Sequence, residues 1–133
     1  MSTKKKVKLE KIHNLLQKLA NEASKGTSII VEGQRDRRTL NNLGVNGNFF
    51  CLKSTGNILL DQLDKIEGTE AILLVDFDKE GIKLAKKIVN YLNFRGIKVR
   101  RFYWRRIKSL IGKEVKDIEG VHSYLERLKS NTA

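Results

Sequence analysis

The sequence predicts an α/β protein built on a four-stranded, mostly parallel sheet flanked by helices, with an N-terminal helical extension. Three observations carry that expectation. From residue 27 onward, short apolar runs alternate with segments of helical period. The most hydrophobic runs, "SIIV" and "AILLV", are continuous rather than alternating, as in strands covered on both faces. The chain contains no proline, and its breaks fall at Gly- and Asn-containing stretches such as "SKGTS", "NNLGVNGN", "IEGTE" and "NFRGIK".

Residues 2–6 read as a short basic tail. Leu9, Ile12, Leu16, Leu19, Ala20 and Ala23 then fall at helical spacing, with Gly26 as the stop. "TSIIVEG" is the first strand and "QRDRRTLNNLG" the helix after it. "NFFCLKS" is the second strand. "NILLDQLDKIEG" follows as a helix with Ile58, Leu59, Leu63 and Ile66 on one side. "AILLVDFD" is the third strand. "EGIKLAKKIVNYLNFRG" is a helix that buries Ile82, Ala85, Ile88, Val89 and Leu92 and leaves its lysines in water. "IKVRRFYW" reads as a fourth, more polar strand near an edge, and "DIEGVHSYLERLK" closes as a helix. The organisation is a basic tail and helix over 1–26 and one α/β domain over 27–133.

The 133 residues include 27 Lys and Arg against 15 Asp and Glu, a formal net charge of +12. That excess favours a polyanionic partner, most simply nucleic acid, RNA or DNA. No apolar run approaches the roughly 18–20 residues that cross a bilayer, and no signal-peptide core follows the basic N-terminus, so a cytoplasmic protein without a membrane partner is expected. Cys51 is the only cysteine, which excludes an internal disulfide and a cysteine zinc cluster; it reads as a small core residue. His13 and His122 lack triad or metal spacing.

Against this cationic background, two strands end in acid. "IIVEG" places Glu32 at the first tip, and "LLVDFD" places Asp76 and Asp78 at the third. Ligands of open parallel sheets bind beyond such C-terminal ends. If the third strand runs to residue 78, Asp76 and Asp78 share a side, because residues two apart point alike. Two adjacent carboxylates repel, and Mg²⁺, or Mn²⁺, would relieve the repulsion through hard oxygen ligands. The plainer alternative is that Asp78 caps the following helix. Gly81 suits close backbone approach at the start of that helix.

These motifs together resemble the Toprim family, the domain shared by topoisomerases, primases and certain nucleases. The family pattern reads here as "IIVEGQRD" (Glu32, Gly33, Asp36), "CLKSTGN" (Gly56) and "LLVDFDKEG" (Asp76, Asp78, Gly81). The resemblance covers about 27–104 and implies a Toprim-like, Rossmann-like fold. It implies that Glu32 acts as general acid or base or as a metal ligand, and that Asp76 and Asp78 hold Mg²⁺. Within the family, the chain is most similar to small stand-alone Toprim proteins and to the Toprim part of the nuclease that matures 5S ribosomal RNA. That similarity adds Asp36 and, through "KDIEG", Glu119 as accessory residues. It departs from topoisomerases in lacking a candidate tyrosine-bearing domain, and from primases in lacking a zinc or polymerase-associated module.

Among the cations, Arg35, Arg37 and Arg38 stand just past Glu32, where a helix start offers further phosphate contacts. Lys53 opens "KSTGN", a turn suited to phosphate but without Walker spacing. Arg100, Arg101, Arg105 and Arg106 flank Phe102, Tyr103 and Trp104, which either stack on bases or pack in the core. The expected function is Mg²⁺-dependent phosphodiester hydrolysis or transfer on nucleic acid, with RNA favoured. The alternative is a non-catalytic nucleic-acid-binding module working with protein partners in a larger processing complex.

Overall fold

A computed structural model of the chain describes residues 3–53 and 59–130. The turn residues Ser54, Thr55, Gly56 and Asn57, and Ile58 after them, lie outside the described residues. In chain order the elements are α1 (Thr3–Ser24), β1 (Ser28–Val31), α2 (Gln34–Asn42), β2 (Asn48–Cys51), α3 (Leu59–Asp64), β3 (Glu70–Leu74), α4 (Lys79–Phe94), β4 (Lys98–Arg100), α5 (Phe102–Ile111) and α6 (Ile118–Ser130).

The four strands form one sheet in the order β2-β1-β3-β4, and every pairing is parallel. Burial explains the order. All four residues of β1 and the last four of β3 are buried, so the two apolar runs take the centre. The less buried β2 and β4 take the edges. From β1 the chain crosses to β2 on one side and returns to β3 on the other. The order reverses between β1 and β3, and a crevice opens at their C-terminal ends.

Helix α1 buries Ile12, Leu15, Leu16, Leu19 and Ala23 along one stripe and packs against α5 and α6. Gly26, at φ 94°, takes the left-handed conformation that turns the chain into β1. Glu22, in the last turn of α1, accepts from the Arg100 guanidinium and the Tyr103 hydroxyl, which ties this helix to the β4–α5 junction.

Two expectations are corrected. The stretch 97–104 is not one strand: β4 stops at Arg100 and α5 begins at Phe102. Tyr103, Trp104, Ile107 and Ile111 are buried at helical spacing. That stripe outweighs the short alternation read as a strand, because it covers β3 and α1. The third strand also ends early. β3 stops at Leu74, so Asp76 and Asp78 lie in the loop before α4 and not on a common strand face. The ladder runs out because β1 ends opposite Leu74 and β4 ends opposite Ile72. The freed Val75 carbonyl accepts from the Trp104 indole N–H at 2.9 Å, and the Phe77 amide donates to the Lys116 carbonyl at 2.7 Å.

Gly81 closes this loop. A Cβ built there would lie 2.0 Å from the Asp76 carbonyl oxygen, a backbone atom with nowhere to retreat. Gly33 has extended backbone, and a Cβ there meets nothing within 4 Å. Urea denaturation should therefore show Gly81→Ala costing about 3 kcal/mol through overpacking, against about 1 kcal/mol or less for Gly33→Ala. Equal losses would contradict the close contact.

Candidate active site

The crevice between β1 and β3 gathers its residues through short backbone links. Glu32 directly follows β1 and is only 7% exposed. Its Oε2 accepts the Asp76 backbone N–H at 2.7 Å, its Oε1 lies 3.3 Å from Lys53 Nζ, and its carbonyl accepts the Lys53 N–H at 2.8 Å. The tip of β1 is thus clasped from both neighbouring strand ends.

Helix α2 starts immediately beyond. Its first-turn contact is carboxylate to backbone: Asp36 Oδ2 accepts from the Gly33 N–H at 3.1 Å, which holds the buried Asp36 against the crevice. From the far side, Asp117 Oδ1 accepts the Gly120 N–H at 2.7 Å and caps α6, while Glu119 occupies that helix's first turn. The Phe77–Lys116 bond draws this α6 start to the Asp76 loop.

These groups line one open cavity of about 570 Å³. Its wall holds the carboxyl groups of Glu32, Asp36, Asp76, Asp117 and Glu119 and the cations of Arg35, Arg38 and Lys53, a formal excess of two negative charges when every acid is ionised. The chemical consequence shows at Asp76. Burial first, then the charges of Glu32, Asp36 and Asp117, push its pKa up to about 7. Asp36 is also raised, by burial and by Glu32, Asp117 and Glu119, against the lowering effect of its Gly33 hydrogen bond.

A hard divalent cation fits this donor set. It would cancel the excess charge and restore the Asp76 carboxylate, and its preferred ligands are carboxylate oxygens completed by water and phosphate. Among the described residues, no three acidic, His or Cys side chains are already arranged to hold a metal. Glu32 and Asp76 are the two cavity acids that a direct hydrogen bond joins, from the Asp76 backbone N–H to the Glu32 carboxylate.

The other expected residues are placed as follows. Asp78 is exposed, and its Oδ1 accepts the Gly81 N–H at 2.8 Å as the cap of α4; it does not line the cavity. Arg35 and Arg38 line the cavity, whereas Arg37 lies over the Phe49 ring at 5.9 Å. Arg100 is engaged by Glu22. Arg101, Arg105 and Arg106 belong to the start of α5, and Arg105 borders a separate cleft with Trp104 and Lys108. Trp104 is buried and spends its N–H on Val75, which leaves its ring in the core rather than free to stack on a base. Gly33 caps α2, Gly81 supports the Asp76 loop, and Gly56 falls outside the described residues. The sequence reading missed Asp117. Its signal was present in "KDIEG", as an Asp in the capping position before an apolar helix.

The raised Asp76 carboxyl gives a pH signature. The folded chain holds a proton there that the unfolded chain releases near pH 4, so this group makes folding stability fall as pH rises from about 4 to about 7. Thermal unfolding across that interval should show a shallower decline in Asp76→Asn than in wild type, and millimolar Mg²⁺ should flatten the wild-type curve. Identical pH profiles for both proteins would contradict the crowded-carboxylate geometry.

Residues 26–103 match the Toprim domain family. A UPF0292 protein of Methanosarcina acetivorans is 36% identical over 127 residues, spanning 94% of this chain and 87% of that protein. A UPF0292 protein of Methanocaldococcus jannaschii is 38% identical over 119 residues, spanning 89% and 92%. A solved structure of an Aquifex aeolicus protein superposes with a TM-score of 0.68 at 27% identity, covering 80% of this chain and 94% of that one. The chain belongs to the Toprim domain family, a nucleic-acid-processing family whose domains typically bind Mg²⁺.

Proposed function

We propose that the protein is a Mg²⁺-dependent phosphodiester hydrolase or transferase acting on nucleic acid, with RNA favoured over DNA. The observation that carries this reading is the clasp of Glu32 and Asp76 in a cavity with two surplus negative charges, inside a chain of net charge +12. RNA is favoured by the resemblance of "EGQRD" to the branch that matures 5S ribosomal RNA.

In this reading Glu32 and Asp76 hold the cation, with Asp36, Asp117 and Glu119 shaping the field around it. When bound, the cation supplies charge stabilisation at a phosphodiester under attack. Glu32 is fixed through Oε2 by the Asp76 amide, so its orientation does not depend on substrate. Arg35 and Arg38, on successive turns of α2, face the same cavity and bind the substrate's phosphate oxygens. Lys53 is mostly exposed, and its ammonium can turn from Glu32 toward an incoming phosphate.

A second reading, a non-catalytic module that holds nucleic acid within a larger complex, draws support from the lack of a ready three-ligand metal cluster among the described residues. Cleavage of a structured RNA with Mg²⁺ separates the two. Glu32→Gln and Asp76→Asn are each expected to lower the rate by about 100-fold, with binding retained. Unchanged cleavage in both variants would reject the site. Salt-sensitive binding by wild type with no product under any divalent ion would select the second reading.

A further inference from the structure

The sequence alone treats the lysines of α4 as a solvated face, but their placement gives them a second role. A second open cleft, of about 520 Å³, adjoins the acidic cavity and shares two of its walls, Glu32 and Lys53. The rest of its charged lining comes from α4: Glu80, Lys83, Lys86 and Lys87. Four lysines thus face two glutamates. Glu32 already belongs to the acidic site, and Glu80 reaches Lys83 only at 3.9 Å between exposed groups. Lys86 and Lys87 are exposed and make no ion pair among the described residues.

We propose that this cleft is the track for the sugar-phosphate backbone of a nucleic acid strand entering or leaving the acidic cavity. The inference rests on the proposed phosphodiester chemistry, and it assigns the cleft, with Lys83, Lys86 and Lys87, a task that the site itself does not include. Three features select this occupant. The lysines recur along α4, and Lys83 and Lys87, one turn apart, stand about 6 Å from each other along the axis, the order of spacing of a charged polymer rather than a compact anion. Among the described residues its lining carries exposed lysines and no aromatic side chain, which suits backbone and not base edges. It also meets the acidic cavity at Lys53 and Glu32, so a strand lying along α4 delivers its next phosphate beside Asp76.

Salt dependence of binding tests this with the full chain and a fluorescein-labelled single-stranded RNA in EDTA. Each single-strand phosphate contact contributes about 0.7 to the slope of log affinity against log salt. Lys86→Ala/Lys87→Ala is expected to lower the slope by about 1.4. The control Lys11→Ala/Lys18→Ala, exposed lysines on α1, should leave it unchanged. An unchanged slope in the α4 variant, an equal drop in the α1 control, or no RNA binding by wild type would overturn the proposal. So would loss of binding to anionic lipid vesicles in the α4 variant with RNA binding intact. The site and the track fail separately. Glu32→Gln cleaving normally while the α4 variant loses slope removes the site alone, whereas the reverse pattern removes the track alone.

Discussion

The hydrogen bond from the Asp76 amide to the Glu32 carboxylate is the contact on which the site depends. It joins the ends of the two central strands where the sheet order reverses. An amide-to-carboxylate bond of this kind contributes about 1.5–3 kcal/mol, but its geometric effect matters more. It fixes a buried anion beside a second carboxyl. The chain turns sharply enough to do this only because Gly81 has no Cβ to strike the Asp76 carbonyl and because Val75 and Phe77 are taken up by Trp104 and Lys116. Elements distant in sequence, α5 and the start of α6, therefore hold the loop that presents Asp76.

This arrangement concentrates negative charge in a strongly basic protein. Five carboxylates share one cavity with three cations, in a chain that carries 27 Lys and Arg against 15 Asp and Glu. Nucleic acid brings the opposite problem, a row of phosphates that cannot approach bare carboxylates. A divalent cation resolves both at once, since it is attracted by the acids and in turn attracts phosphate. The raised Asp76 carboxyl is the mark of that crowding, and the proposed cation would relieve it. In the proposed reading the basic surround draws the polymer, and the α4 cleft that opens onto Glu32 and Lys53 supplies lysines for it.

The sheet, its parallel strands and the positions of Glu32 and Asp76 were legible in the sequence because burial imposes continuous apolar runs, and the acids mark where those runs stop. Other features were not, for identifiable reasons. Where β3 ends is decided by how far its neighbours extend, which no local pattern records, so Asp78 reads equally as a strand residue and as the helix cap it proves to be. "FYW" is a short aromatic run between arginine pairs, too brief by itself to reveal that Ile107 and Ile111 continue its buried stripe as a helix. Arg37 stands between Arg35 and Arg38 in sequence, yet helical phase turns it onto Phe49 while the other two face the cavity. Asp117 lies 41 residues beyond Asp76 in the numbering, and the two segments meet through the Phe77–Lys116 bond and the packing of α6 on α2, which no local pattern records.

The central claim is that Glu32 and Asp76 form the seat of a hard cation. Its most direct measurement is a crystal structure of the protein soaked in Mn²⁺, with anomalous scattering used to locate the ion. The account predicts a single strong peak between the Glu32 and Asp76 carboxylates, with water filling the remaining coordination positions. A well-ordered crevice without a peak, or a peak only at exposed acids elsewhere, would contradict it.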